Sequence, residues 1–195
     1  MNLPSDFILR TRQLLGDAEF AALAEALGKD TPVSIRMNTD KCGLVPLEST
    51  SVPWCREGYY LSGRPSFTFD PLFHAGCYYV QEASSMFLEQ ALRQYVHEPV
   101  TMLDLCAAPG GKSLHMGDKM EGYGFVDARD VSDYKVNLIE ENIQRLHAIN
   151  VQAKVQDATV FDVESECRAD IVLVDAPCSG YGVIGKKPEI KYRMT

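Results

Sequence analysis

The chain has 195 residues, 46% hydrophobic and 24% charged, with a formal net charge of −8 at neutral pH. That is enough for one good-sized domain, or one domain with a small appendage, in the ordinary composition range of globular proteins. The acidity argues against broad non-specific nucleic-acid binding, and no apolar run approaches the eighteen or so residues of a membrane span.

The start, Met1-Asn2-Leu3-Pro4-Ser5-Asp6, lacks the basic and apolar regions of a signal peptide. Cysteines stand at 42, 55, 77, 106, 167 and 178, without Cys-x-x-Cys spacing and without clustered histidines. The pattern predicts no metal site, no membrane association and a reduced, cytoplasmic setting. Ser5 to Leu15 and Asp17 to Leu27 read as two short helices, the second capped by Asp17 and stopped by Gly28. Val33 to Asn38 alternates as a strand, and residues 40–77, rich in Gly, Pro and Ser, read as hairpin and loop. A helix is predicted from about Ala83 to Tyr95, and Pro99 breaks the chain after it.

From Thr101 the rhythm becomes strand and helix in alternation. Strands are expected at 101–106, 123–128, 151–156 and 170–175, with helices near 111–120 and 133–147. Val136, Ile139, Ile143 and Leu146 recur at helical spacing, a core stripe facing a sheet. Such alternation implies a parallel sheet. The expected architecture is α/β: a small N-terminal α+β region at 1–76, then a partial Rossmann-like domain at 77–195. In the doubly wound order 3-2-1-4 the strand at 170–175 is terminal. Its run Ile171-Val172-Leu173-Val174 carries no charge or proline to discourage pairing, so another copy of the chain or the tail 181–195 is expected to lie along that edge.

Two strand ends carry the chemistry. Leu103-Asp104-Leu105 runs into Cys106-Ala107-Ala108-Pro109-Gly110-Gly111-Lys112-Ser113, and Ile171 to Val174 runs into Asp175-Ala176-Pro177-Cys178-Ser179-Gly180. Polar groups at the C-terminal ends of parallel strands share one ligand crevice. A dinucleotide fingerprint needs Gly-x-Gly-x-x-Gly, which adjacent Gly110-Gly111 does not supply. A phosphate-binding P-loop fits Gly111-Lys112-Ser113, but Cys106 takes the first glycine position and Pro109 removes a backbone N–H. The third reading is an S-adenosylmethionine loop, which needs only a tight small-residue turn and a helix N-terminus for the ligand's carboxylate. Asp130 then stands where an acid would meet the ribose hydroxyls, with Asp127 a competitor inside the strand pattern. Asp157 is placed for the adenine edge or, more blandly, as a helix cap. Lys186, Lys187, Lys191 and Arg193 form a basic cluster, readable as a solvated tail or as a phosphate-contacting patch.

The two long motifs resemble those of the Nop2/Sun family of RNA cytosine carbon-5 methyltransferases, in its bacterial ribosomal-RNA branch. Pro188-Glu189-Ile190-Lys191, Ser34-Ile35-Arg36-Met37-Asn38, Val52-Pro53-Trp54 and Tyr79-Val80-Gln81-Glu82-Ala83-Ser84-Ser85-Met86 resemble its flanking segments. The resemblance implies S-adenosylmethionine contacts from residues 106–112, Asp130, Asp157 and Asp175, and a ribosomal RNA partner. It implies two cysteines: one attacks carbon 6 to activate carbon 5, and the other, matched by Cys178, assists product release. The attacking cysteine of the family lies in a Thr-Cys motif. This sequence contains no Thr-Cys pair, so it is expected to be an incomplete chain whose methyl transfer alone is absent or weak. Two rivals stand beside this: a non-catalytic S-adenosylmethionine- or RNA-binding module, and Cys178 itself as nucleophile.

Overall fold

The computed structural model describes residues 3–43, 48–178, 180, 183–184 and 187–192. By internal contacts the chain divides into two units, Val33–Ala176 and a second made of Met1–Pro32 with Pro177–Thr195.

In the smaller unit, helix α1 (Ser5–Leu27) changes direction at Gly16, whose φ of 81° and ψ of 170° interrupt the helical backbone. The two predicted helices are thus its two arms. Phe7, Phe20 and Leu27 are buried against Leu3, Leu23 and Ile184.

The larger unit holds two four-stranded sheets. The first is antiparallel, from β1 (Val33–Met37), β2 (Ser49–Ser51), β3 (Gly58–Leu61) and β4 (Tyr78–Val80), in the order β2-β3-β1-β4. Ile35 sits opposite both Tyr59 and Val80, which fixes the register on either side of β1. Between β3 and β4 runs the one-turn helix α2 (Pro71–His74), capped by the Asp70 side chain accepting from Leu72 N–H. The single helix predicted at 83–95 is two: α3 (Ala83–Met86) and α4 (Leu88–Tyr95). Phe87 N–H bonds to Ser84 O and Gln90 N–H to Phe87 O, and these three-residue bonds tighten the joint.

The second sheet is parallel: β5 (Thr101–Asp104), β6 (Phe125–Asp130), β7 (Val151–Val155) and β8 (Ile171–Leu173), in the order β7-β6-β5-β8. Numbered along the chain this is the expected 3-2-1-4. Helices α5 (Gly111–Lys119) and α6 (Asp133–Leu146) connect the strands. Met102, Leu114, Met116, Val126, Ile139, Leu146 and Val151 form the core, so the α6 stripe does face the sheet. One strand shifts. β6 begins at Phe125, not 123, because Glu121, Gly122 and Gly124 all take positive φ and hold the chain in a turn until then. β6 also runs two residues past the expected end, so Asp130 is its last residue rather than one just past it, and is buried.

The two sheets of this unit are tied by polar contacts. Asn38 Nδ2 donates to Leu146 O at 2.9 Å, and Arg145 Nη1 donates to Phe73 O and Tyr78 O at 3.0 and 3.1 Å. Arg36, almost fully buried, donates from Nε to Gln81 Oε1 at 2.9 Å and pairs with Asp118.

Candidate functional site

At the C-terminal end of β5 the chain turns sharply into α5. Asp104, 1% exposed, organises this turn: Oδ1 accepts from Cys106 N–H at 3.3 Å and Oδ2 from Ser113 Oγ at 2.7 Å. Ala107 N–H reaches across to Arg129 O and Gly110 N–H closes back on Ala107 O. Gly110 caps the helix with φ 101°, a backbone that a Cβ strains, and that Cβ would lie 3.3 Å from Ile139 Cγ2. A side chain on Gly111 would press to 3.1 Å on the Tyr79 ring. Small residues here keep the turn tight and its N-terminus open.

Above the turn lies a cavity of about 170 Å³ lined by Tyr79, Gln81, Glu82, Ser85, Asp104 and Cys106 to Pro109, with Gly111, Lys112 and Asp175. Lys112 Nζ pairs with Asp175 Oδ2 at 2.5 Å, so the two motif strands do deliver their polar groups to one crevice. The cavity also takes in Tyr79, Gln81, Ser85 and Asp104, to which the sequence reading gave no role. The usable signal was the acid ending an apolar strand (Asp104) and the aromatic-amide pair preceding a helix (Tyr79, Gln81).

Asp130 stands behind the turn, at the end of β6. Its Oδ2 accepts Ala108 N–H at 3.0 Å, and its Oδ1 accepts Val131 N–H at 2.8 Å and Lys135 Nζ at 2.9 Å. Burial pushes this carboxyl up, but Lys135 and the two N–H groups outweigh it and hold Asp130 below its ordinary range. Three donors leave a carboxylate with lone-pair capacity for a further hydroxyl. Asp127, the competitor, is taken by Arg129, which pairs with it at 2.5 Å and with Asp162 at 3.0 Å. Asp157 follows β7, fully exposed, and accepts from Thr159 N–H and Thr159 Oγ1 at 2.8 and 2.7 Å. It turns a loop rather than capping a helix.

The candidate cysteines differ in character. Burial, with Asp130 and Asp104 adding negative potential, pushes the Cys106 thiol up, away from the thiolate a nucleophile needs. Cys178 belongs to the smaller unit, is exposed, and accepts from Gly180 N–H at 3.4 Å. Of the basic cluster, Lys187 is exposed, Lys186 and Arg193 lie outside the described residues, and so does the side chain of Lys191.

Comparison with known proteins identifies what carries this arrangement. Residues 3–83 match the N-terminal domain of 16S rRNA methyltransferase RsmF, and residues 91–195 match 16S rRNA methyltransferase RsmB/F. The chain is 33% identical to ribosomal RNA small subunit methyltransferase F of Vibrio cholerae serotype O1, over 97% of this chain and 43% of that protein. It is 43% identical to probable ribosomal RNA small subunit methyltransferase B of Bacillus subtilis, over 62% of this chain and 27% of that protein. It thus spans less than half the length of these curated relatives. A methyltransferase homologue from Pyrococcus horikoshii superposes with a TM-score of 0.74 at 32% identity, covering 92% of this chain and 64% of the other. The fold is that of Rossmann-like methyltransferases, and the chain belongs to the 16S rRNA methyltransferase RsmB/F family.

Proposed function

We propose that this chain supplies the cofactor-binding turn and the substrate-facing acid of an S-adenosylmethionine-dependent methyltransferase acting on cytosine carbon 5 in ribosomal RNA. The observation that carries the reading is the crevice at the ends of β5 and β8, where Lys112 meets Asp175 above the Cys106–Gly111 turn. The residues fit the cofactor: a helix N-terminus without side chains at Gly110 and Gly111 for its carboxylate, Asp130 for the ribose and Asp157 at the next strand end for the base. Bound there, S-adenosylmethionine supplies the methyl group on its sulfonium.

The protein's own groups position and activate the base. A cytosine flipped from its stack meets Lys112 and Asp175, whose donor and acceptor suit the ring's polar edge. Carbon 5 becomes nucleophilic once a thiolate has added to carbon 6. Cys106 is held as a thiol by its surroundings, and Cys178 is assigned to product release, so neither is given the attack on carbon 6.

Calorimetric titration with S-adenosylmethionine and with ATP–magnesium tests the site. S-adenosylmethionine is expected to bind more tightly, and the reverse order overturns the reading in favour of a phosphate loop. The second reading, a binding module without catalysis, is favoured by the crevice cysteine, Cys106, whose thiol is pushed up by burial, away from a nucleophile's thiolate. Radiolabelled S-adenosylmethionine with unmodified ribosomal RNA decides it for this chain. Little or no transfer is expected; robust transfer that disappears in Cys178→Ser makes Cys178 the nucleophile.

A further inference from the structure

One helical turn along α5 from the glycines of the crevice, three ligand-type side chains from separate elements meet in the interior. Cys55 lies in the turn between β2 and β3, Glu89 in the first turn of α4 and His115 in the middle of α5. They are 1%, 0% and 0% exposed. Their donor atoms all fall within 4.8 Å of one another, with Cys55 Sγ 4.0 Å and Glu89 Oε2 3.3 Å from His115 Nε2. We propose that Cys55, Glu89 and His115 form an interior zinc site. This inference does not depend on the methyl-transfer reading.

The donor set is the thiolate, imidazole and carboxylate that zinc prefers, and its bond lengths place tetrahedral donors roughly 3.3–3.6 Å apart. The nitrogen–oxygen pair already has that spacing, and the sulfur, 4.0 Å from Nε2 and within 4.8 Å of the carboxylate, has to close in on both. The turn that carries Cys55 is pinned at the preceding residue, Trp54 Nε1 donating to Ala83 O at 2.7 Å and Gln90 Nε2 to Trp54 O at 2.6 Å. His115 Nδ1 is buried and has no hydrogen-bond partner among the described residues, so the ring's orientation is set by what Nε2 faces.

Charge decides whether a dication is admissible here. Lys119 Nζ sits 3.2 Å from Glu89 Oε2, and Arg36 lies close enough to oppose a positive charge on His115. Each has another carboxylate: Lys119 pairs with Glu57 at 2.5 Å, and Arg36 pairs with Asp118. Arg93, the second partner of Glu89, is more than half exposed and free to turn to water. Giving up Glu89 strands none of them. On binding, the Cys55 S–H bond breaks, its proton leaves to solvent, and the sulfur's electron pair bonds the metal. Thiolate and carboxylate together then neutralise the dication. A cavity of about 250 Å³ lined by Arg36, Glu57, Asp118, Lys119 and Glu121 borders the cluster through Lys119 and gives an acidic approach.

Cobalt(II), titrated into the metal-free reduced chain at neutral pH, is the probe. One equivalent is expected to give a thiolate-to-cobalt charge-transfer band that zinc abolishes by displacement. Cys55→Ser removes the band, and Glu89→Gln and His115→Gln each weaken cobalt binding by about tenfold or more. Cys42→Ser, Cys77→Ser and Cys178→Ser leave it intact. Zinc-edge X-ray absorption of the loaded wild-type chain, which needs no variant to fold, should show one sulfur at about 2.3 Å. No band in the wild type, a band that survives in Cys55→Ser, or a zinc shell with no sulfur or several overturns the proposal.

Discussion

Lys112 Nζ lies 2.5 Å from Asp175 Oδ2, an ion pair that joins two motifs 63 residues apart at neighbouring strand ends. Asp175 is more than half exposed, so the pair contributes only about 0–1 kcal/mol to stability. The pairing instead fixes where a donor and an acceptor stand in the crevice. Lys112→Ala and Asp175→Ala are expected to leave the thermal midpoint nearly unchanged while weakening S-adenosylmethionine binding. A melting curve beside a calorimetric titration checks both halves. A large loss of stability in either variant shows the pair to be structural.

Asp130 combines both roles. Its carboxylate holds Ala108 N–H in the Cys106–Gly111 turn and Val131 N–H at the strand end, and Lys135 keeps it charged. Asp130→Ala should weaken S-adenosylmethionine binding by about 1.5–3 kcal/mol, roughly tenfold to a hundredfold. The acid dependence has a definite sign. The folded carboxyl titrates below its ordinary range, so its stabilisation is complete above about pH 4 and is lost as pH falls through the lower, folded value. Asp130→Asn should therefore be less stable than wild type at neutral pH, the two converging in strong acid. Denaturant titrations over a pH series measure this.

Asp104 has the opposite sign. Burial raises its carboxyl, with Ser113, Cys106 N–H and Lys112 opposing in part and Asp175 adding to the rise. A raised acid favours the fold most where it is protonated in both states. Stability then falls as pH rises from about 4, the unfolded value, through the folded one. Asp104→Asn keeps an acceptor for Cys106 N–H, and the Ser113 hydroxyl can reverse to accept from the new amide. The variant is expected to match or exceed wild-type stability at pH 7, with the difference shrinking toward pH 4. A loss at neutral pH would mean that the charge on Asp104 is itself needed by the turn.

What the sequence disclosed follows from how local each signal is. Strand order and the α6 stripe were legible because Val136, Ile139 and Leu146 repeat within one helix and the apolar strands are continuous runs. The arms of α1 were legible because Gly16 and Asp17 mark the break in place. The start of β6 is not legible because Tyr123 and Phe125 look strand-like, and the positive φ at Glu121, Gly122 and Gly124 delays the pairing. Asp104 is legible as part of the motif, yet its part in the turn depends on Ser113, nine residues on in the first turn of α5. Cys55 and His115 stand 60 residues apart, and Glu89 26 residues before His115, with no spacing rule to link them. Spacing alone argued against any metal; folding is what assembles that donor set.

The edge of β8 predicts behaviour in solution. β8 pairs with β5 along one side, and among the described residues no strand pairs along the other. Val172 and Val174 are more than half exposed, and beside them Leu88, Leu92, Tyr95, Val100 and Ile171 line a groove of about 540 Å³. An apolar strand with open N–H and C=O groups next to an apolar groove is a template for another chain, with no lysine, proline or bulge to discourage it. This chain is expected to self-associate as its concentration rises, and Val172→Lys is expected to suppress that association by placing a charge on the edge. The exposed Val172 side chain leaves little packing to lose, so thermal stability should stay within about 0.5 kcal/mol of wild type. Sedimentation velocity across a concentration series on both proteins is the measurement. A wild-type chain that remains monomeric at the highest concentration, or a Val172→Lys variant that associates equally, would show that this edge is protected.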